Sequence, residues 1–387
     1  MKSRAAVFVE PGTPLAIESF DVPDSVESGA AVCKVRMGTI CGSDLHTIFG
    51  RRQEPTPIIL GHEIVGEIAA LGPGLDRDGY GNPLRVGDRV SWSIMASCGA
   101  CYYCGLDLPQ KCCALRKYGH TACTNPPHLT GGYAEHVYLF PGTAIYRVPE
   151  SLSDAIATPA NCALSTVINA LETIGVQRGE NVLIQGAGLL GLNLIALCRE
   201  AGAAGIHVTD VSPQRLELAH RFGADYCWNI GESAGGAAAE QVLQHTGGHG
   251  ADVAFEVCGA PQAAVDAVRA LRIGGRYLVA GLVTPGSDLM LDGNQLTRKC
   301  LTLKGIHNYH PKQLGKALEF LRRNAARYPY AELVGAVFPL EQINQAIEAA
   351  ATGRFVRVAV RHGSGPGMSC RNGSEIASHK APPSSPR

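Results

Sequence analysis

A chain of 387 residues with 45% apolar and 18% charged side chains has enough material for two cores and is too hydrophobic for wholesale disorder. Its 34 basic and 34 acidic side chains cancel, so no bulk field draws nucleic acid or an acidic membrane, and neither partner is expected. The longest apolar stretch, Val182 to Cys198, is broken by Gln185, Asn193 and glycines, which excludes a membrane span. Glu10 and Pro11 cut the first apolar run short, so no secretory signal is expected and a reducing cytoplasmic location is.

The first 150 residues alternate short β-like runs with Gly and Pro: Ala5–Val9, Ala31–Met37, Ile64–Ala69, Arg89–Ser93 and Ala134–Leu139. That pattern predicts an all-β domain of barrel type. The middle changes character. Compact apolar runs at Asn181–Gln185, Gly205–Thr209, Asp252–Val257 and Gly275–Ala280 alternate with helical patterns at Leu189–Ala201, Pro213–Phe222 and Pro261–Leu271. Strands alternating with helices predict βαβ units on a parallel sheet. After Cys300–Ile306 come two helical stretches and a last strand-like run, Phe355–Val360. From Gly363 the chain is Gly, Ser, Pro and scattered charge, and is expected to be a disordered tail.

Six of the 14 cysteines fall between positions 98 and 123. Cys98, Cys101, Cys104 and Cys112 have the spacing C-x2-C-x2-C-x7-C, suited to four thiolates on a tetrahedral zinc. Four protein ligands leave no position for water or substrate, so this site is expected to be structural; Cys113 and Cys123 are spare. A second constellation is more open. Cys41 lies in a run with Ser43, Asp44 and His46, and His62-Glu63 follows about twenty residues on. Cys41 and His62 are a thiolate–imidazole pair suited to zinc, and Asp44 can hold the other ring nitrogen of His62. A catalytic zinc needs a third protein ligand and an open fourth position; Glu63 and Cys162 are both candidates.

Gly186, Gly188 and Gly191 form a G-x-G-x-x-G run with Leu189 and Leu190 between. It follows a strand, opens a helix, and is followed by an acid, Asp210, at the end of the next strand. Gly186 permits the turn, Gly188 lets backbone approach a pyrophosphate, and Gly191 allows close helix–strand packing. A carboxylate at Asp210 suits both ribose hydroxyls and repels a 2′-phosphate, so NAD is favoured over NADP, with Arg215 as the feature that keeps NADP open.

Together these residues resemble the medium-chain, zinc-dependent alcohol dehydrogenase family over roughly residues 1–362. The resemblance implies an α/β protein: a GroES-like β-barrel-type catalytic domain plus a Rossmann doubly wound parallel sheet. It implies a catalytic domain over 1–162 with the cysteine lobe at about 95–115, an NAD-binding domain over 163–305, and a return segment over 306–362 completing the first domain, leaving 363–387 as tail. On the family pattern Cys41, His62 and Cys162 match catalytic zinc ligands, so two zinc ions per chain are implied. Glu63 matches an acid that can approach the metal, Ser43 and His46 a proton relay, and Thr166 a residue beside the nicotinamide. Gly42 departs from the pattern, since some members carry there an Arg on the pyrophosphate. The implied partners are an alcohol or aldehyde substrate and further copies of the chain, as a homodimer or homotetramer.

The segment running through Cys112, Arg116, Lys117 and His120 further resembles alcohol dehydrogenases associated with phosphonate catabolism. Arg116, Lys117 and His120 are a cationic cluster that a phosphonate dianion would want. A hydroxy-phosphonate alcohol is therefore the narrow expectation; polyol, threonine or simple alcohols are the broad one. Ile48, Phe49, Trp92 and His307 are further pocket candidates. Two other readings compete: a zinc-free quinone or enone reductase, and a non-catalytic nucleotide sensor on the same fold. Both leave the ligand set unexplained.

Overall fold

The computed structural model describes residues 1–231 and 237–362, so the expected tail lies outside the described residues. The middle of the chain builds a six-stranded, all-parallel sheet. Its spatial order is Tyr226–Asn229, Gly205–Asp210, Asn181–Gln185, Ala251–Glu256, Leu271–Val279, Thr302–Gly305. The chain winds outward from Asn181–Gln185 in one direction, then returns and winds outward in the other. The order therefore reverses between Asn181–Gln185 and Ala251–Glu256, where a doubly wound sheet opens its ligand crevice. The central strands are near-continuous apolar runs because helices cover both faces: Val182, Ile184, Ile206, Val208, Val253 and Phe255 are all fully buried. Each such side chain contributes about 1.5–3 kcal/mol on burial.

The rest of the chain builds sheets of mainly antiparallel strands. An eight-stranded branched sheet runs from Val334–Pro339 through Arg357–Arg361, Ala31–Thr39, Glu63–Leu71 and Arg89–Ala96 to Arg116–Lys117. His136–Leu139 pairs with Ala31–Thr39, and Thr143–Arg147 with Arg89–Ala96. A three-stranded sheet, Ala16–Asp21, Lys2–Phe8 and Ile58–Ile59, sits beside it. The C-terminal strand lies next to Ala31–Thr39, with Ala359 opposite Thr39. Residues more than 300 positions apart are thus neighbours in one sheet.

Several expected boundaries shift for local reasons. The helix expected at Pro261–Leu271 spans Ala263–Ala270, and Leu271 already pairs with Ala251 as a strand residue. The strand expected at Gly275–Ala280 begins earlier, as Leu271–Val279. The strand expected at Ala134–Leu139 is His136–Leu139, because Ala134 makes only an isolated bridge to Ala5. Ala16–Asp21 is mostly exposed and offers no buried face for a sequence pattern to reveal.

Candidate functional site

Two paired strands and one helix deliver the mixed cluster. Cys41 follows the end of Ala31–Thr39 and caps the helix Gly42–Ile48; His62 precedes Glu63–Leu71, whose first residue sits opposite Thr39. Cys162 comes from the start of the helix Ala163–Ile174, which joins the two sheet systems. Asn161 fixes that junction: its Nδ2 donates to the carbonyls of His62 and Trp92, both at 3.0 Å, and its own carbonyl accepts from the Tyr309 hydroxyl. One donor atom each from Cys41, His62, Glu63 and Cys162 lies within 4.8 Å of the others.

The electrostatics suit a cation. His62 Nε2 is 3.4 Å from Cys162 Sγ, close to the ~3.5 Å edge that Zn–S and Zn–N bonds of usual length give in a tetrahedron. On the far side of the ring His62 Nδ1 and Asp44 Oδ1, buried and otherwise unpartnered, face each other at 3.3 Å. Asp44 Oδ2 accepts from the Cys41 N–H at 2.9 Å and from the Tyr133 hydroxyl at 3.1 Å, so the carboxylate is fixed and aims the imidazole. Burial pulls the His62 pKa down, but Asp44 and Cys41 outweigh it and raise it to about 10. The Cys41 thiol is held well below its ordinary value, chiefly because the Cys162 thiol hydrogen-bonds to it, and Cys162 is pushed up by the same contact. A pocket that concentrates negative charge on soft donors fits zinc.

Glu63 faces this cluster yet is also bound elsewhere. Arg357 donates to its two oxygens at 2.8 and 2.9 Å, and the Thr39 hydroxyl donates at 2.5 Å. Burial raises the Glu63 pKa against the pull of Arg357. Of the two candidate third ligands, Glu63 is already paired with Arg357, whereas Cys162 makes no hydrogen bond to an arginine or lysine among the described residues. The Arg357–Glu63 pair was not visible in the sequence; the only available signal was an arginine opening an apolar terminal strand.

The four-cysteine lobe stands apart at the surface. Cys101 Sγ lies 3.5 Å from Cys104 and 3.9 Å from Cys112, and Cys112 lies 3.4 Å from Cys98. These match the ~3.8 Å edge of a four-thiolate zinc tetrahedron. Backbone N–H groups already aim at sulfur: Cys113 toward Cys101, and Ala114 and Cys98 toward Cys112. The Cys113 N–H leads the effects that lower the Cys101 thiol to about 6.

The dinucleotide loop has the expected form. Gly186 has φ +109°, and a Cβ on Gly191 would lie 1.8 Å from the Gly186 carbonyl. A Cβ on Gly188 would meet nothing within 4 Å, so open space lies where a phosphate would approach, at the start of the helix Leu189–Glu200. Leu189 is buried and Leu190 packs against the same core. Asp210 accepts from Ala187 N at 2.7 Å through one oxygen and from Ser212 N at 2.9 Å through the other, tying the second strand to the glycine loop. Arg215, in the first turn of Pro213–Arg221, makes no ion pair among the described residues and lies near Gly353. Thr166 is one turn past Cys162, with its N–H on the Cys162 carbonyl. Ser43 and His46 share one face of Gly42–Ile48. Burial, with Arg51 and Arg52, lowers the His46 pKa.

The expected cluster of Arg116, Lys117 and His120 divides. Arg116 and Lys117 are successive strand residues and point to opposite faces. The Arg116 guanidinium lies 4.5 Å from the Phe140 ring centroid. His120 stands 5.2 Å, centroid to centroid, from His62, and its Nδ1 is 2.8 Å from Glu54 Oε1, which Arg52 also engages at 2.7 Å. Lys117 is half-buried in this region and makes no hydrogen bond or ion pair through its ammonium among the described residues. Of the other pocket candidates, Trp92 and Ile48 are core residues, Phe49 is exposed beneath Arg51, and His307 is 2.7 Å from Lys111.

This architecture and ligand set define a zinc-type dehydrogenase, and the chain belongs to the medium-chain, zinc-dependent alcohol dehydrogenase family. Residues 27–150 match the alcohol dehydrogenase GroES-like domain and residues 190–323 the zinc-binding dehydrogenase domain. The chain is 31% identical over 362 residues to 5-exo-hydroxycamphor dehydrogenase of Pseudomonas putida, covering 92% of this chain and 98% of the relative. It is 32% identical over 359 residues to L-threonine 3-dehydrogenase of Saccharopolyspora erythraea, with the same coverage. The crystal structure of an alcohol dehydrogenase from Thermotoga maritima superposes with TM-score 0.88 at 31% identity, covering 94% of this chain and all of that one. No helix among the described residues is long and apolar enough to cross a membrane.

Proposed function

We propose that the chain oxidises an alcohol reversibly with NAD, holding one zinc at Cys41, His62 and Cys162 and a second at Cys98, Cys101, Cys104 and Cys112. The observation that carries this reading is the convergence of two thiols and an Asp44-oriented imidazole at the start of a helix that shares its core with the helix after the glycine loop. Bound zinc supplies a Lewis acid that makes the alcohol more acidic, and bound NAD supplies the hydride acceptor. The protein does the rest. Asp44 fixes the ring of His62, and Arg357 holds Glu63 back from the ligand cluster. The Ser43 hydroxyl would take the substrate proton as it releases its own through the cofactor ribose toward His46, which burial keeps neutral and so able to accept it and hand it to solvent. Asp210, each of whose oxygens accepts one backbone N–H, receives the adenosine ribose hydroxyls.

The substrate reading is an alcohol that carries an oxyanion, a hydroxy-phosphonate among them. Lys117 supports it: its ammonium makes no ion pair among the described residues, and it stands within electrostatic range of Arg52, Glu54, Cys41 and Cys162. Burial, then the charge of Arg52, lowers its pKa to about 8 against the pull of Cys162 and Glu54, and a bound dianion would pair with it directly. The test is initial-rate reduction of NAD and NADP by zinc-replete protein with 2-hydroxyethylphosphonate, L-threonine and uncharged alcohols. The expected result is turnover with NAD preferred and the phosphonate ahead. Lys117→Met then erodes the phosphonate preference by about tenfold, and Arg116→Ala leaves it intact. No hydride transfer to either cofactor with any alcohol contradicts the enzyme reading; equal rates for charged and uncharged alcohols contradict the substrate reading alone.

A further inference from the structure

The mechanism above leaves one fully buried carboxylate unused. Glu256 ends the strand Ala251–Glu256, at the point where the parallel sheet reverses its winding. It takes its partners from backbone rather than from a cation. Oε1 accepts from the Cys258 N–H at 2.9 Å and the Gly259 N–H at 2.6 Å, and Oε2 accepts from the Gly281 N–H at 2.8 Å. One side chain therefore ties the loop leaving its own strand to the loop leaving the neighbouring strand, Leu271–Val279. The connection reaches a third segment. A Cβ on Gly186 would lie 2.9 Å from the Cys258 Cβ, so the loop that Glu256 pins is packed directly against the turn of the dinucleotide motif. Three backbone donors on a buried carboxylate form a strong, directional brace, and an unpaired donor in such a place is costly.

We infer that Glu256 is a positioning residue for the cofactor, shaping the half of the crevice opposite Asp210, where the nicotinamide end of NAD would lie. The inference rests on the NAD reading above. Asp210 and the glycine loop belong to the first half of the sheet and would take the adenosine and pyrophosphate. The loops 257–260 and 280–283 belong to the second half, and Cys258, Gly259, Ala260 and Val283 on them are exposed. A brace joining these two loops controls how far that side of the crevice stands from the glycine turn.

The test compares two ligands on the full-length protein. NADH spans both halves of the crevice, and 5′-AMP occupies only the Asp210 half. Glu256→Gln keeps the size of the side chain but turns an amide donor toward backbone donors. The expected result is NADH binding weakened by about tenfold or more, read by fluorescence, with 5′-AMP binding within about twofold of the parent. Gly281→Ala is the second variant: its Cβ would lie 2.6 Å from Glu256 Oε1 and 2.7 Å from Gly259 N, forcing the brace apart with the carboxylate still present. It should show the same split between ligands. Equal weakening of NADH and 5′-AMP, or no weakening of either, overturns the inference. Failure of the unaltered protein to bind NADH overturns the NAD reading and the inference with it.

Discussion

The two thiol clusters differ in every respect that matters for their chemistry. The lobe cluster comes from 15 consecutive positions, consists only of cysteines and sits at the surface. The cleft cluster gathers Cys41, His62, Glu63 and Cys162 from two sheet strands and an interdomain helix, and it mixes sulfur, nitrogen and oxygen. On the proposed reading the lobe would close on its metal and brace a loop. In the cleft Glu63 is engaged with Arg357, so on the same reading Cys41, His62 and Cys162 would hold the ion and leave a fourth position for substrate. The proposed function thus assigns structure to the all-thiolate site and catalysis to the mixed one.

Breaking the cleft cluster should cost the most. Cys41→Ala or His62→Ala should lower turnover on the order of 10³-fold or more, with near-parental thermal stability measured by circular dichroism. The buried ion pair should come next. Arg357→Met leaves Glu63 without its cation, at a cost of about 3–5 kcal/mol by denaturant unfolding. The sign of its pH dependence follows from Glu63, whose folded pKa burial raises above its unfolded value. Protons then favour the folded form, so the variant should lose more stability at pH 8 than at pH 5. Cys101→Ser probes the other cluster. It should lower the melting temperature on the order of 10 °C, and a chelator should do the same to the parent, while cofactor binding persists in the protein that stays folded. The smallest expected effect lies at the nucleotide. Asp210→Ala should narrow the NAD-over-NADP ratio by about tenfold in initial rates, because the side chain that favours the ribose hydroxyls and repels a 2′-phosphate is gone.

What the sequence disclosed follows from how local each feature is. The lobe was legible because x2 spacings put ligands on one short loop. The glycine loop was legible because its strand, turn and helix are contiguous, and Gly186 and Gly191 each meet a steric demand visible in the structure. Cys41 and His62 could be named from residue type, but their meeting depends on the register of two paired strands. Arg357 stayed hidden because its partner lies 294 positions away, and Glu256 because its partners are backbone groups that leave no side-chain signature. That Arg116 and Lys117 part company was not legible because adjacency in sequence suggests a shared surface, whereas a strand sends successive side chains to opposite faces.

The most direct test of the central claim is elemental zinc analysis of the purified protein beside Cys41→Ala and Cys101→Ser. The account predicts two zinc ions per chain in the parent and one in each variant, with cofactor-dependent alcohol oxidation lost only where the cleft ion is lost. One ion per chain in the parent, or two retained by the Cys41 variant, would contradict it.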